Sequence, residues 1–119
     1  MKKKKVTLTD IKKALNLKVL FGDALLEREI ECGYISDVLS NVIGRSKPGD
    51  IWVTYQGHPN IIAVAVLKHL SAIIIIGGRE PEKETVEKAR KEKIPLLSSE
   101  LPAFEIVGRL YDMGISGLH

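Results

Sequence analysis

Two apolar runs between Asp50 and Pro81 set the pattern of the chain. Residues 51–55 form a short β-branched and aromatic run, opened by the turn signal Lys47-Pro48-Gly49-Asp50. Residues 72–76 are apolar at every position and stop at Gly77-Gly78. A strand without polar alternation is covered on both faces, which is how parallel sheets are built. Between the runs, Gln56-Gly57-His58-Pro59-Asn60 breaks the first strand, and residues 61–70 are enough for about three helical turns. Pro59 suits a helix start, where its missing N–H has no partner to lose. The stretch therefore predicts two parallel strands joined by a right-handed crossover helix.

The flanking pattern extends this unit. Thr9 with Asp10 reads as a helix start, and Ile11, Ala14 and Leu15 share one face. Residues 17–21 read as a strand and Gly22-Asp23 as a turn. Residues 29–34 alternate like a half-exposed strand. A helix over 37–43 is predicted with Ser36 as its cap, Gly44 as its stop, and Val38, Leu39, Val42 and Ile43 inward. Residues 79–91 carry glutamates first and cations last, as the helix dipole favours, with only a thin apolar stripe. Residues 94–97 make a further strand, placed near a sheet edge by Pro95. The final helix, 101–113, is expected to bury Phe104, Val107, Leu110 and Tyr111. Together these elements predict an α/β fold, a three-layer α/β/α arrangement around a mostly parallel sheet of about four to five strands. The central helix is apolar all round from 61 to 67, which demands a second cover. We expect a homodimer contact there; the alternative is that the N-terminal segment packs over it.

Composition changes this picture little. The chain has 119 residues and 13.2 kDa, the size of one domain, read here as residues 7–119 behind a disordered lysine tail at 1–6. The net charge of +3 is concentrated in Lys2, Lys3, Lys4 and Lys5; without them 14 cations face 15 anions. A nearly neutral body offers no face for nucleic acid. No run reaches the roughly 18 apolar residues of a membrane span, and no apolar segment follows the N-terminal lysines as in a signal peptide. Cys32 is the single cysteine, which excludes an internal disulfide and suits a reducing cytoplasm.

Most catalytic signatures are missing. There is no GxxxxGK[ST] phosphate loop, no GxGxxG after a strand and no GxSxG elbow. His58, His69 and His119 lack metal-ligand spacing, and one cysteine builds no structural zinc site. A Cys32–His58 nucleophile pair is outweighed by the ordinary role of cysteine as a small buried hydrophobe. We therefore expect no catalytic set, no metal and no cofactor. What remains is geometric, because open α/β sheets bind ligands outside the carboxyl ends of their strands. Here those ends carry Gln56, Gly57, His58 and Asn60, then Gly77, Gly78 and Arg79, then Ser98 and Ser99. Glycines allow close backbone approach, and helix N-termini offer N–H groups to an anion. The competing reading is that these residues are turns and caps serving the fold alone.

Four stretches in order carry a family likeness: Gly33-Tyr34-Ile35-Ser36-Asp37, Pro48-Gly49-Asp50-Ile51-Trp52-Val53-Thr54, Ile73-Ile74-Ile75-Ile76-Gly77-Gly78 and Ile94-Pro95-Leu96. In that order and spacing the chain resembles a DRTGG domain from about Leu8 to Tyr111. It is also similar to the non-catalytic N-terminal domain of HPr kinase. Of the residues that give the family its name, Gly77 and Gly78 match, whereas Ile76 stands for the Thr and His58 and Pro59 for the Asp and Arg. The resemblance implies a non-enzymatic accessory module able to dimerise; together with the strand-end geometry, the expectation is a regulatory module whose ligand is an anion such as a nucleotide. The alternative is an interaction module with no small ligand.

Overall fold

The computed structural model describes residues 5–119, and its elements follow the polarity pattern closely in the centre and less so at both ends. In chain order they are β1 (Val6–Thr7), α1 (Leu8–Leu15), β2 (Lys18–Phe21), a 3-10 turn (Asp23–Leu25), β3 (Glu29–Ile30), β4 (Gly33–Ile35), α2 (Leu39–Arg45), β5 (Ile51–Thr54), α3 (Asn60–Lys68), β6 (Ala72–Ile75), α4 (Lys83–Glu92), β7 (Leu96–Ser98) and α5 (Ala103–Asp112). The main sheet has the order β2-β7-β6-β5-β4. Strands β4 to β7 are parallel, and β2 closes one edge antiparallel to β7. Strands β5 and β6 are neighbours, with Trp52 opposite Ile73 and Thr54 opposite Ile75. The predicted crossover through α3 is present.

Alternation along the central strands divides the interior in two. Ile51, Val53, Ala72, Ile74 and Leu97 point to one side, where Leu8, Ile11 and Leu15 of α1 and Ile106 and Leu110 of α5 cover them. Trp52, Ile73, Ile75 and Leu96 point to the other, against Ile61, Ile62, Val64 and Ala65 of α3, Val42 of α2 and Ala89 of α4. The result is the expected three-layer α/β/α arrangement. Each of the valine, leucine and isoleucine side chains contributes about 1.5–3 kcal/mol on burial. Trp52 is fully buried, and its indole N–H donates to the Ser36 carbonyl at 2.9 Å, so its one polar atom is satisfied.

Several boundaries differ from the sequence reading, each for a local reason. Val6, assigned to the tail, pairs with Ile30 in a small β1–β3 ribbon; residues 1–4 of that tail lie outside the described residues. Helix α1 is capped by Thr7 rather than Thr9: the Thr7 hydroxyl accepts from the Asp10 N–H at 3.2 Å and the Asp10 carboxylate accepts from the Thr7 N–H at 2.9 Å. The Thr9 hydroxyl donates instead to the Leu26 carbonyl. The single strand expected at 29–34 is two strands, because the chain leaves β1 after Ile30 and joins β5 from Gly33. Ser36 forms a turn with the Val38 N–H, so α2 starts at Leu39 and runs through Gly44 to Arg45. Only Val42 of the four expected residues is buried; Leu39 is half-buried, and Val38 and Ile43 are exposed. Strand β7 lies inside the sheet rather than at its edge. Pro95 precedes the paired residues and contributes only its carbonyl, which accepts from the Ile73 N–H.

Helix α5 turns a different face inward than expected. Ile106 and Leu110 are buried, while Phe104 is 90% exposed and Tyr111 72%. The helix carries two apolar stripes, 106/110 and 104/107/111, and one residue of offset is a rotation of about 100°. Helix α3 is flanked by α2 and α4 on its own side of the sheet. The N-terminal helix packs in the opposite core, so it does not cover α3. Ala63, Val66 and Leu67 remain exposed. Among the described residues no helix is long and apolar enough to cross a membrane.

The two faces of the fold make opposite predictions for aromatic residues. Trp52→Ala is expected to cost about 3–5 kcal/mol, whereas Phe104→Ser should stay within about 0.5 kcal/mol of the parent. Urea unfolding of both variants checks this; comparable losses would mean that α5 packs by its other stripe.

Candidate functional site

The loops leaving the carboxyl ends of the parallel strands are tied to one another by hydrogen bonds. After β4, the Asp37 carboxylate accepts from the Thr54 hydroxyl at 2.7 Å and from the Tyr55 N–H at 2.8 Å, and the Gln56 side-chain amide donates to the Asp37 carbonyl at 3.3 Å. After β5, the Gly57 carbonyl accepts from the Thr85 hydroxyl at 2.6 Å and the Glu82 N–H at 3.1 Å. His58 Nδ1 accepts from the Asn60 N–H at 3.0 Å, capping the first turn of α3. The Tyr55 hydroxyl accepts from the Ala103 N–H at 3.0 Å and so caps α5.

The Gly77-Gly78 turn is the centre of this end of the sheet. Both residues have left-handed backbone, with φ of 68° and 70°, which glycine adopts without steric cost. A Cβ at Gly77 would run into the Tyr55 ring, and one at Gly78 would lie 2.6 Å from a Glu100 carboxylate oxygen. Their N–H groups are used within the protein: Gly77 donates to Leu101 O at 2.8 Å and Gly78 to Ser99 O at 2.9 Å. The turn therefore joins the β6 loop to the β7 loop.

The residues singled out from the sequence fall into two groups. Gly78, Arg79, Ser98 and Ser99 line one cleft of about 130 Å³ together with Asn16, Lys18, Glu80 and Glu100. Gln56, Gly57, His58, Asn60 and Gly77 are not on it. Residues 80 and 81 pack against Gly57, so closely that a Cβ there would lie 3.0 Å from Pro81 Cα. Asn16 and Lys18 escaped the sequence reading because β2 is antiparallel: its first residue, Lys18, sits opposite Ser98. No local pattern announces which edge strand runs backwards. Asp37 and Tyr55 were also missed as organising residues, since their partners lie on other loops. The cleft is polar, lined by the cations Lys18 and Arg79 and by the carboxylates Glu80 and Glu100. A second recess of about 130 Å³, between β4 and α5, is apolar and includes Tyr34, Ile35, Val107 and Tyr111.

Residues 10–113 match the family model of the DRTGG domain. The chain belongs to the DRTGG domain family. No curated protein matches the sequence. Among solved structures, its fold is similar to the CBS and DRTGG domains of the regulatory region of Clostridium perfringens pyrophosphatase, complexed with the activator diadenosine tetraphosphate. The TM-score is 0.72 at 19% identity, and the match covers 87% of this chain and 45% of that one. The DRTGG chain thus spans less than half the length of that regulatory region, and the likeness is one of fold. The glycine pair that carries the family resemblance is the left-handed turn described above.

Two glycines separate backbone strain from crowding. Gly77 and Gly114 both have positive φ, but nothing lies within 4 Å of a Cβ at Gly114. Alanine at either position carries the left-handed penalty of about 1–2 kcal/mol; Gly77→Ala should cost clearly more because the Tyr55 ring must also move. Equal midpoints in chemical denaturation would contradict the packing of Tyr55 on the turn.

Proposed function

We propose that this DRTGG domain is a non-enzymatic regulatory module of the cytoplasm that binds an anionic ligand, a nucleotide in particular, at the carboxyl ends of β6 and β7. The observation that carries the reading is the cleft beside Gly78, Arg79, Ser98 and Ser99. Arg79 and Lys18 supply charge for a phosphate, and the two serines supply hydroxyl groups. Glu80 and Glu100 oppose a bare anion but suit the hydroxyl groups of an attached ribose. At about 130 Å³ the cleft is smaller than the roughly 300–1,000 Å³ of a complete small-molecule site. It therefore takes the phosphoryl end of a ligand, and the remainder lies over the neighbouring surface. The nucleotide activator of the structurally similar pyrophosphatase region supports this choice of ligand class.

Titration with ATP, AMP and diadenosine tetraphosphate, followed by calorimetry, tests the site. At least one should bind, and Arg79→Ala should weaken it by roughly tenfold or more, the loss of one charge-assisted contact. Absence of binding by all three, or an unchanged affinity in Arg79→Ala, overturns the reading.

The exposed face of α3 favours a second role as a homodimer contact. Leu67 is 61% exposed, beside Ala63 and Val66. Sedimentation should show a dimer that Leu67→Lys converts to monomer; a monomeric parent at high concentration removes this contact.

A further inference from the structure

We propose that Cys32, Asp50 and His119, at the opposite end of the sheet from the cleft, form a binding site for a thiophilic divalent cation of the zinc class. The site is independent of the ligand reading above. Its position follows from the parallel pairing of β4 and β5. Cys32 immediately precedes β4 and Asp50 immediately precedes β5, and the Ile51 N–H donates to the Cys32 carbonyl at 3.0 Å. The third residue arrives on the segment after α5. Ser116 forms a parallel bridge with Cys32, its carbonyl accepting from the Gly33 N–H at 2.9 Å and its N–H donating to Glu31 O at 3.1 Å. Its hydroxyl accepts from the Leu118 N–H at 2.9 Å, turning the chain so that His119 reaches Asp50.

Cys32 Sγ, an Asp50 carboxylate oxygen and a His119 ring nitrogen all lie within 4.8 Å of one another. His119 Nε2 is 2.7 Å from Asp50 Oδ1, and the Cys32 sulfur is 3.3 Å from Leu118 O. The Asp50 side chain is only 2% exposed. Its second oxygen accepts from the Lys47 N–H at 2.9 Å, which fixes the orientation of the carboxylate. The three residues border a cavity of about 230 Å³ that Glu29 and Glu31 also line. That leaves room for a cation and a fourth ligand, either Glu31 or water.

The donor set selects the metal. One sulfur, one imidazole nitrogen and one carboxylate oxygen suit zinc, whereas magnesium and calcium take oxygen alone. Bond lengths of about 2.0–2.3 Å place tetrahedral donors roughly 3.3–3.8 Å apart. The His119–Asp50 pair must therefore open by several tenths of an ångström and the sulfur move inward. On binding, the cation accepts the Nε2 lone pair, the neutral imidazole carries its proton on Nδ1, and the thiol releases its proton to solvent. Bound metal would fasten residues 116–119 to the starts of β4 and β5.

The alternative is an Asp50–His119 hydrogen bond that holds this segment without metal, with Cys32 a bystander. Titration of the metal-free, reduced protein with Zn²⁺ in a calorimeter, and with Co²⁺ by absorption, separates the two. The expected result is one equivalent bound, with a thiolate-to-cobalt charge-transfer band that Cys32→Ser abolishes. His119→Ala, a change at an exposed position, should lower Zn²⁺ affinity by at least the roughly 10- to 100-fold that loss of a supporting group costs. His69→Asn, at a histidine outside the cluster, should bind as the parent does. No charge-transfer band, or parental Zn²⁺ affinity in His119→Ala, overturns the proposal, and metal-free thermal unfolding of each variant verifies that it is folded.

Discussion

The structure depends on β6 being covered on both faces at once. Ala72 to Ile76 contains no polar side chain, so no position of the strand can face water without cost. Successive residues alternate between two cores, Ile74 with α1 and α5 and Ile73 and Ile75 with α3. This requirement places helices on both sides and pairs β6 with strands on both edges. It also explains why β5 and β7 are nearly as apolar: each shares the same two interiors. The antiparallel β2 and the short β4 close the sheet where one face has less to bury.

The same constraint shapes the carboxyl end of the sheet, where the candidate site lies. A fully covered parallel strand must leave the sheet through a tight turn, since its backbone groups need partners as soon as pairing stops. Gly77 and Gly78 provide that turn and hand their N–H groups to Leu101 and Ser99. Tyr55 packs on the turn and caps α5, and Gly57 receives Thr85 and Glu82 from the start of α4. The loops thus form one hydrogen-bonded rim. The cleft lies at the side of that rim where the start of β2 comes beside the end of β7. At the other end of the strands, the pairing that aligns β4 with β5 brings Cys32 beside Asp50.

The central crossover was readable from polarity alone, because a run with no polar residue has one stable solution. The outer elements were not. Helix α5 carries two apolar stripes one residue apart, and nothing local tells which one, 106/110 or 104/107/111, meets the sheet. The alternation of residues 29–34 is real, but it persists while the chain changes partner from β1 to β5. Capping was misread where two threonines compete: Thr7 has Asp10 three residues on to close a reciprocal capping pair, whereas the Thr9 hydroxyl donates to the Leu26 carbonyl. For the site, the glycine turn and the serines were recognisable from their place after strands. Asn16 and Lys18 were invisible because they join only through the antiparallel pairing of β2 with β7. The Cys32, Asp50 and His119 cluster was invisible for the same reason, with His119 lying 69 residues beyond Asp50.

Native-state hydrogen exchange tests the central claim most directly. If double burial of β6 organises the fold, the amides of Ile73 to Ile76 and of their β5 neighbours exchange only through global unfolding, with free energies equal to that from denaturant titration. The amides of α2 and of the β1–β3 ribbon should open earlier. Exchange of the β6 amides through a local opening, ahead of the helices that cover them, would contradict the account.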